Sequence, residues 1–151
     1  MALEKKKEGP IKHFQAKDIP DEPVALPPGF EWSTFDIDDE DTVQELIEFL
    51  EKHYVEDELG NFRLKYTREK LIWGVKTPGH VKDLNFVVRN SKNKKIMASI
   101  VACPKKIVIN GQTLKMAEVN FLAVHQKLRS KRLAQIVIQE MMRRKRKNGF
   151  M

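Results

Sequence analysis

The apolar residues of this chain change their period twice, and no other feature restricts its fold as much. Val43, Leu46, Ile47 and Leu50 recur at helical spacing. From Leu84 onward the spacing is that of strands, with Leu84, Phe86 and Val88 alternating with Asn85, Val87 and Arg89 ahead of the apolar run 96–103. Leu133, Ile136, Val137, Glu140 and Met141 then return to helical spacing, on a face that is only partly apolar. A chain of 151 residues has room for one sizeable core, so helices and strands in this order must share it. The pattern predicts an α+β fold, with helices packed on a mixed, largely antiparallel sheet.

Local signals refine that outline. The first helix is expected from Asp41 to near Tyr54, with acidic residues in the first turn where the helix dipole favours them. Thr67 can cap a second, shorter helix carrying Leu71, Ile72 and Val75 and stopped by Pro78 and Gly79. A polar turn over 91–94 separates two strands. Asn110 and Gly111 then form the dipeptide that a type I′ hairpin turn favours, because both of its central positions need positive φ. Ahead of all this, residues 1–25 hold Pro10, Pro20 and Pro23 and little periodicity, so they read as an extended arm before a domain spanning 26–151. No internal repeat is visible.

Charge is divided as sharply as periodicity. Residues 1–60 carry a net charge of −11 and residues 61–151 a net of +18. The acidic part can attract a cationic ligand and the basic part an anionic one. The runs RRKRK at 143–147 and KKK at 5–7 leave a nucleic-acid, ribosome or anionic-membrane binder as an alternative function. No apolar run approaches the roughly 18 residues a membrane span requires, and no secretory signal opens the chain, so a cytoplasmic protein is expected. The single Cys103 can form no intrachain disulfide and is too little for a zinc site, so no metal is expected.

The most informative segment is 118–134, EVNFLAVHQKLRSKRLA. A strand ends there, a loop supplies Lys127, Arg129, Ser130, Lys131 and Arg132, and a helix begins with its free N–H groups aimed back at that loop. Such a helix start concentrates donors and partial positive charge, which suits a phosphate or diphosphate. Guanidinium groups and a serine hydroxyl add further donors. His125, a single histidine after a strand, is assigned no role.

Arg129-x-x-Arg132-x-Ala134 resembles the acyl-CoA loop of the GCN5-related acetyltransferase superfamily, with Arg132 where that superfamily usually has Gly. The longer string is more specific. It resembles the signature of eukaryotic N-myristoyltransferases, commonly written EINFLCVHKKLRSKRLAP, and departs from it at Val119, Ala123, Gln126 and Gln135. YVEDELGNFR at 54–63 resembles the family's YVED…FR loop, with Leu64 where the family often has Phe, and LPPGFEW at 26–32 resembles its LPxGFEW opening strand. Lys12, His13 and Phe14 lie near the place of a Phe-Trp pair that packs on the coenzyme in the family, here reduced to Phe14.

The resemblance implies a GCN5-related acetyltransferase-like fold and transfer of a myristoyl group from myristoyl-CoA to the amine of an N-terminal glycine. Myristoyl-CoA would be a substrate, with no prosthetic group, and the protein a monomer. The carried-over oxyanion donors are the backbone amides of Phe121 and Leu122, which do not require the cysteine that Ala123 replaces. The coenzyme site would draw on Lys12, His13, Phe14, Phe121, Leu122, Ala123, Val124, Arg129, Ser130, Lys131, Arg132, Leu133 and Ala134. The peptide would meet Val55, Glu56, Asp57, Phe62 and Arg63. The family's KFGxGDG motif does not occur, and Met151 comes too early to match the C-terminal carboxylate that serves the family as general base. The expectation is therefore the acyl-CoA-binding N-terminal part of such an enzyme, with little activity alone, or a non-catalytic acyl-CoA-binding fragment.

Overall fold

The computed structural model describes residues 15–56 and 59–150. Lys12, His13, Phe14 and Asp57, four of the expected site residues, lie outside that range. The strands are β1 (Phe30–Thr34), β2 (Asn85–Asn90), β3 (Ile96–Ile109) and β4 (Gln112–Val124), and the α-helices are α1 (Glu40–His53), α2 (Arg68–Val75) and α3 (Leu133–Lys147). The strands form one sheet in the order β1-β2-β3-β4, antiparallel at every pairing.

Both early helices start at a side-chain cap: Thr67 is the one the sequence predicts, whereas Asp39 caps α1 at Glu40, one residue ahead of the expected Asp41. Asp39 accepts from the backbone N–H of Thr42 at 3.1 Å, and Thr67 accepts from that of Lys70 at 3.3 Å, each satisfying a donor that a helix start leaves open. The apolar stripe of α1 buries Val43, Leu46, Ile47, Phe49 and Leu50. Each contributes about 1.5–3 kcal/mol of transfer free energy.

Helices cover both faces of the sheet. On one face α1 and α2 enclose a core with Phe35, Leu71, Val75, Val87, Val101 and Phe121. On the other, α3 closes a second core with Leu84, Phe86, Val88, Ile100, Leu133, Val137 and Met141. This explains two departures from the alternation read along the sequence. Val87 is buried like Phe86 and Val88, because the side of β2 it occupies also meets helices. Leu84 ends a 3-10 turn, Lys82–Leu84, instead of opening the strand.

The hairpin has the turn its dipeptide requires, with Asn110 at φ +49° and Gly111 at +75°. Its arms are continuous with the core strands. The last residue of β3 that β2 pairs is Val101, and beyond it β3 pairs with β4 alone. Pro104, which has no N–H to give, falls in that one-sided stretch. The arm is not wholly extended: Ala16–Asp18 form a 3-10 turn, and the 20–24 segment lies against α3 through hydrogen bonds described below.

Candidate functional site

The register between β3 and β4 slips at one place. Ser99 faces Ala123 and Val101 faces Asn120, so Phe121 and Leu122 together oppose the single residue Ile100. A bulge of this kind takes a residue out of the ladder and turns backbone groups away from the neighbouring strand. Phe121 carries the bend at φ +53°, a conformation a bulky residue adopts only when its surroundings impose it, at a cost of about 1–3 kcal/mol. Three contacts impose it. The Ser99 hydroxyl donates to the Phe121 carbonyl at 2.8 Å. The Phe121 ring meets Tyr66 edge-on with centroids 5.3 Å apart and lies 6.1 Å from Tyr54. Gly74 of α2 leaves space for the ring, since a Cβ there would come within 3.3 Å of Phe121 Cζ. Ala123 then packs toward α1, and Val124 and Leu122 toward α3.

Directly after β4 the chain makes a 3-10 helix, Gln126–Lys131. The N–H of His125 donates to the Met97 carbonyl at 2.9 Å, and its Nδ1 accepts from the N–H of Lys127 at 3.3 Å. Leu128 is buried and anchors the loop from below. Arg132 joins the loop to α3 in the left-handed conformation, φ +57°. That geometry is why glycine is usual at this position in the superfamily the loop resembles. No side chain caps α3, and the N–H of Gln135 donates to the Arg132 carbonyl at 3.2 Å, a bond the signature's proline cannot make.

The polar side chains at the end of the loop divide into two groups. Those of Ser130, Lys131 and Arg132 are exposed and make no hydrogen bond or ion pair with another described residue. Arg129 is engaged: it donates to the His53 carbonyl at 2.9 Å and meets Glu56 at 3.4 Å. Glu56 also pairs with Arg63 at 3.2 Å, and Arg63 donates to the Lys52 carbonyl at 3.2 Å. Two residues expected at the peptide and one expected at the coenzyme thus form one cluster that closes the C-terminus of α1, where cations oppose the helix dipole. Glu56 and Arg63 face each other across a short antiparallel bridge, beside which Val55 and Phe62 are exposed.

Beside the bulge, an open groove of about 1150 Å³ lies between α2 and the hairpin, lined in part by Trp73, Thr77, Cys103, Asn120, Phe121 and Phe150. Cys103 donates to the Gly74 carbonyl at 3.2 Å, and burial pushes its thiol pKa up, which makes it a poor nucleophile.

The run 143–147 is different from the open basic patch that its sequence suggests. Glu140 is fully buried and accepts from Arg143 at 2.7 Å and Arg144 at 2.8 Å. Arg144 also reaches the carbonyl of Asp83 at 3.0 Å and lies over the Phe86 ring, and Lys147 meets Asp21 at 3.1 Å. The other Glu140 oxygen takes the N–H of Val24 at 3.0 Å, and the Val24 carbonyl takes the indole N–H of Trp32 at 2.8 Å. The sequence places Glu140 on the stripe of this helix but assigns it no partner. The signal for its pairing is a carboxylate three and four residues before two arginines. Among the described residues no group of His, Cys, Asp and Glu could hold a metal, and no helix is long and apolar enough to cross a membrane.

Comparisons with known proteins agree with this arrangement. Residues 10–151 match the family model described as myristoyl-CoA:protein N-myristoyltransferase, N-terminal domain. A glycylpeptide N-tetradecanoyltransferase of Ajellomyces capsulatus is 46% identical over 143 residues, covering 95% of this chain and 27% of that protein. One from Arabidopsis thaliana is 41% identical, covering 91% of this chain and 32% of that protein. A crystal structure of Saccharomyces cerevisiae N-myristoyltransferase with bound myristoyl-CoA superposes with a TM-score of 0.90 at 38% identity, covering 96% of this chain and 33% of that one. A glucosamine-6-phosphate N-acetyltransferase of Arabidopsis thaliana shares the fold alone, at 18% identity and a TM-score of 0.53 over 80% of this chain and 77% of that one. The chain thus spans about a third of the length of its myristoyltransferase relatives, and it belongs to the N-myristoyltransferase family, matching its N-terminal domain.

Proposed function

We propose that this domain binds myristoyl-CoA and supplies the coenzyme loop and oxyanion donors for transfer of the myristoyl group to the N-terminal glycine amine of proteins. The observation that carries this reading is a juxtaposition along one short stretch of chain. A bulge at Phe121 and Leu122 leads through the 3-10 helix Gln126–Lys131 to three uncommitted polar or cationic side chains and the uncapped start of α3. The solved yeast relative of the same fold holds myristoyl-CoA.

In this reading the amine attacks the thioester carbonyl carbon, a C–N bond forms, the C–S bond breaks, and coenzyme A leaves as a thiolate that becomes the free thiol on taking up the proton the amine gives up. Negative charge gathers on the carbonyl oxygen, where the amides of Phe121 and Leu122 are the donors. Backbone donors leave the side chain at Ala123 free to vary. Ser130, Lys131 and Arg132 and the amides of Leu133 and Ala134 take the diphosphate. Arg129 adds charge while its bonds to His53 and Glu56 hold the loop in shape. Ala123 and Val124 flank the thioester, and Lys12, His13 and Phe14 of the arm cover the coenzyme.

The peptide follows Val55, Glu56, Asp57, Phe62 and Arg63. Glu56, already shared by Arg63 and Arg129, has less to offer a substrate lysine than its charge suggests. The same reading divides the chain into an arm at 1–25 and a domain at 26–151. It requires no second copy, and it places the protein in the cytoplasm, where an unpaired Cys103 stays reduced. Association with a ribosome or membrane through 143–147 is weakened by the internal bonds of Arg143, Arg144 and Lys147.

Titration of the isotopically labelled chain with myristoyl-CoA tests the assignment residue by residue. The amide resonances of Phe121, Leu122 and 130–134 are expected to shift together. Shifts confined to the 143–147 run would overturn it.

A further inference from the structure

We propose that His53 and His125 are positioning residues for the anion-binding loop, each in its neutral form presenting Nδ1 to a backbone N–H at the loop's first turn. This rests on the coenzyme reading for its purpose, though not for its geometry. His53 is the last residue of α1 and His125 the first after β4, so the sequence gives no hint that they meet. Their rings stack with centroids 4.2 Å apart and 35° between planes, and Phe49 lies on His53 at 5.0 Å. His125 Nδ1 accepts from the N–H of Lys127 at 3.3 Å, and His53 Nδ1 lies 3.5 Å from the N–H of Gln126. Two consecutive loop amides are therefore held by two imidazoles from different elements. The end of α1 adds two more ties: the Lys52 carbonyl takes Gln126 Nε2 at 3.3 Å, and the His53 carbonyl takes Arg129.

The protonation state follows from the bonding. An imidazole that accepts at Nδ1 carries its hydrogen on Nε2, whereas imidazolium has no acceptor. The surroundings select the neutral form. Lys52 faces the pair from α1, Arg63 from the segment before α2, and Lys127 and Arg129 from the loop. The carboxylate at hand, Glu56, is already divided between Arg63 and Arg129. Burial first, then His125 and these cations, lower the His53 pKa to about 4, and burial with Lys127 lowers that of His125. At neutral pH the pair is an uncharged bracket amid positive charge. A proton on either ring turns an acceptor into a donor facing a donor, and a proton on both sets like charges about 4.2 Å apart.

The test uses the 151-residue chain and two substitutions of His125. In His125→Asn the amide oxygen stands near the place of Nδ1 and cannot titrate, and in His125→Leu no acceptor remains. Hydrogen exchange at Gln126 and Lys127 is read against that of the β2–β3 amides, and coenzyme A binding is read by calorimetry. His125→Leu should lose about tenfold of the loop protection and of the affinity for coenzyme A, while His125→Asn stays within about twofold. In the unaltered chain, acidification toward pH 4 should shift the Gln126 and Lys127 amides together with the imidazole signals, an experiment that needs no variant to fold. Equal loss in the Asn and Leu variants, unchanged loop exchange in His125→Leu, or imidazole titration that leaves both amides unmoved would overturn the proposal. If the loop responds as stated but the unaltered chain does not bind coenzyme A, the coenzyme reading fails and the positioning role stands.

Discussion

The Ser99 hydroxyl donates to the Phe121 carbonyl at 2.8 Å inside the sheet, so one buried side chain on β3 fixes the bend on β4 where the ladder slips. Without that donor the carbonyl is buried with an acceptor unmet. Ser99→Ala is expected to destabilise the domain by about 1–3 kcal/mol. A urea titration should show a lower midpoint with an unchanged slope, and an unchanged midpoint would mean that the bulge is held by the packing of Phe121 alone.

Arg132 separates stability from binding. Its φ of +57° is strained for arginine and natural for glycine, so Arg132→Gly should raise stability by about 0.5–1 kcal/mol. The same change removes a guanidinium from the phosphate site and should weaken coenzyme A binding by about 1–3 kcal/mol. Arg132→Val should lower both. Thermal unfolding and calorimetry on the two variants check the opposite signs.

Glu140 ties the arm to the last helix. Glu140→Gln leaves Arg143 and Arg144 short of their buried partner and should cost about 3–5 kcal/mol in urea unfolding. It should also release the Val24 amide to exchange while the centre of α1 stays protected. Burial pushes this carboxyl's pKa up, but hydrogen bonds from Arg143, Val24 and Arg144 outweigh it and hold the group below its usual 4.5. Its stabilising contribution is thus complete above that value and disappears as pH falls through the folded one.

His53 acts at higher pH and in the same direction. Its pKa is lowered from 6.5 to about 4, so in that interval the unfolded chain binds the proton and the folded chain does not. Stability should therefore be full above pH 6.5, fall as pH drops toward 4, and level off below. Urea midpoints between pH 7.5 and 4 measure this, and His53→Asn should flatten the part of the slope that comes from this residue.

Local chemistry was readable from the residues. The helical stripe Val43, Leu46, Ile47, Leu50, the Thr67 cap and the Asn110-Gly111 turn each depend on neighbours in sequence, and all three occur in the structure. Features set by distant partners were not readable. Val87 is buried because helices lie on both faces of β2, and Arg129 reaches across to α1 because that helix ends beside the loop. The bulge at Phe121 depends on Ser99 and Gly74, twenty-two and forty-seven residues away along the chain, so periodicity in β4 could not reveal it. The likeness of 118–134 to a family signature singles out the same segment without any of that geometry.

In the proposed function the loop at 129–134 and the bulge beside it form an acyl-CoA site. Calorimetric titration of the 151-residue chain with myristoyl-CoA and with coenzyme A, before and after Ser130→Ala and Lys131→Ala, tests it most directly. Myristoyl-CoA should bind more tightly than coenzyme A, because its chain buries apolar surface in addition to the phosphate contacts. Both substitutions should weaken both ligands, whereas Lys92→Ala, in the turn between β2 and β3, should leave them unchanged. Equal affinities for the two ligands, or a loss in Lys92→Ala as large as in Lys131→Ala, would contradict the account.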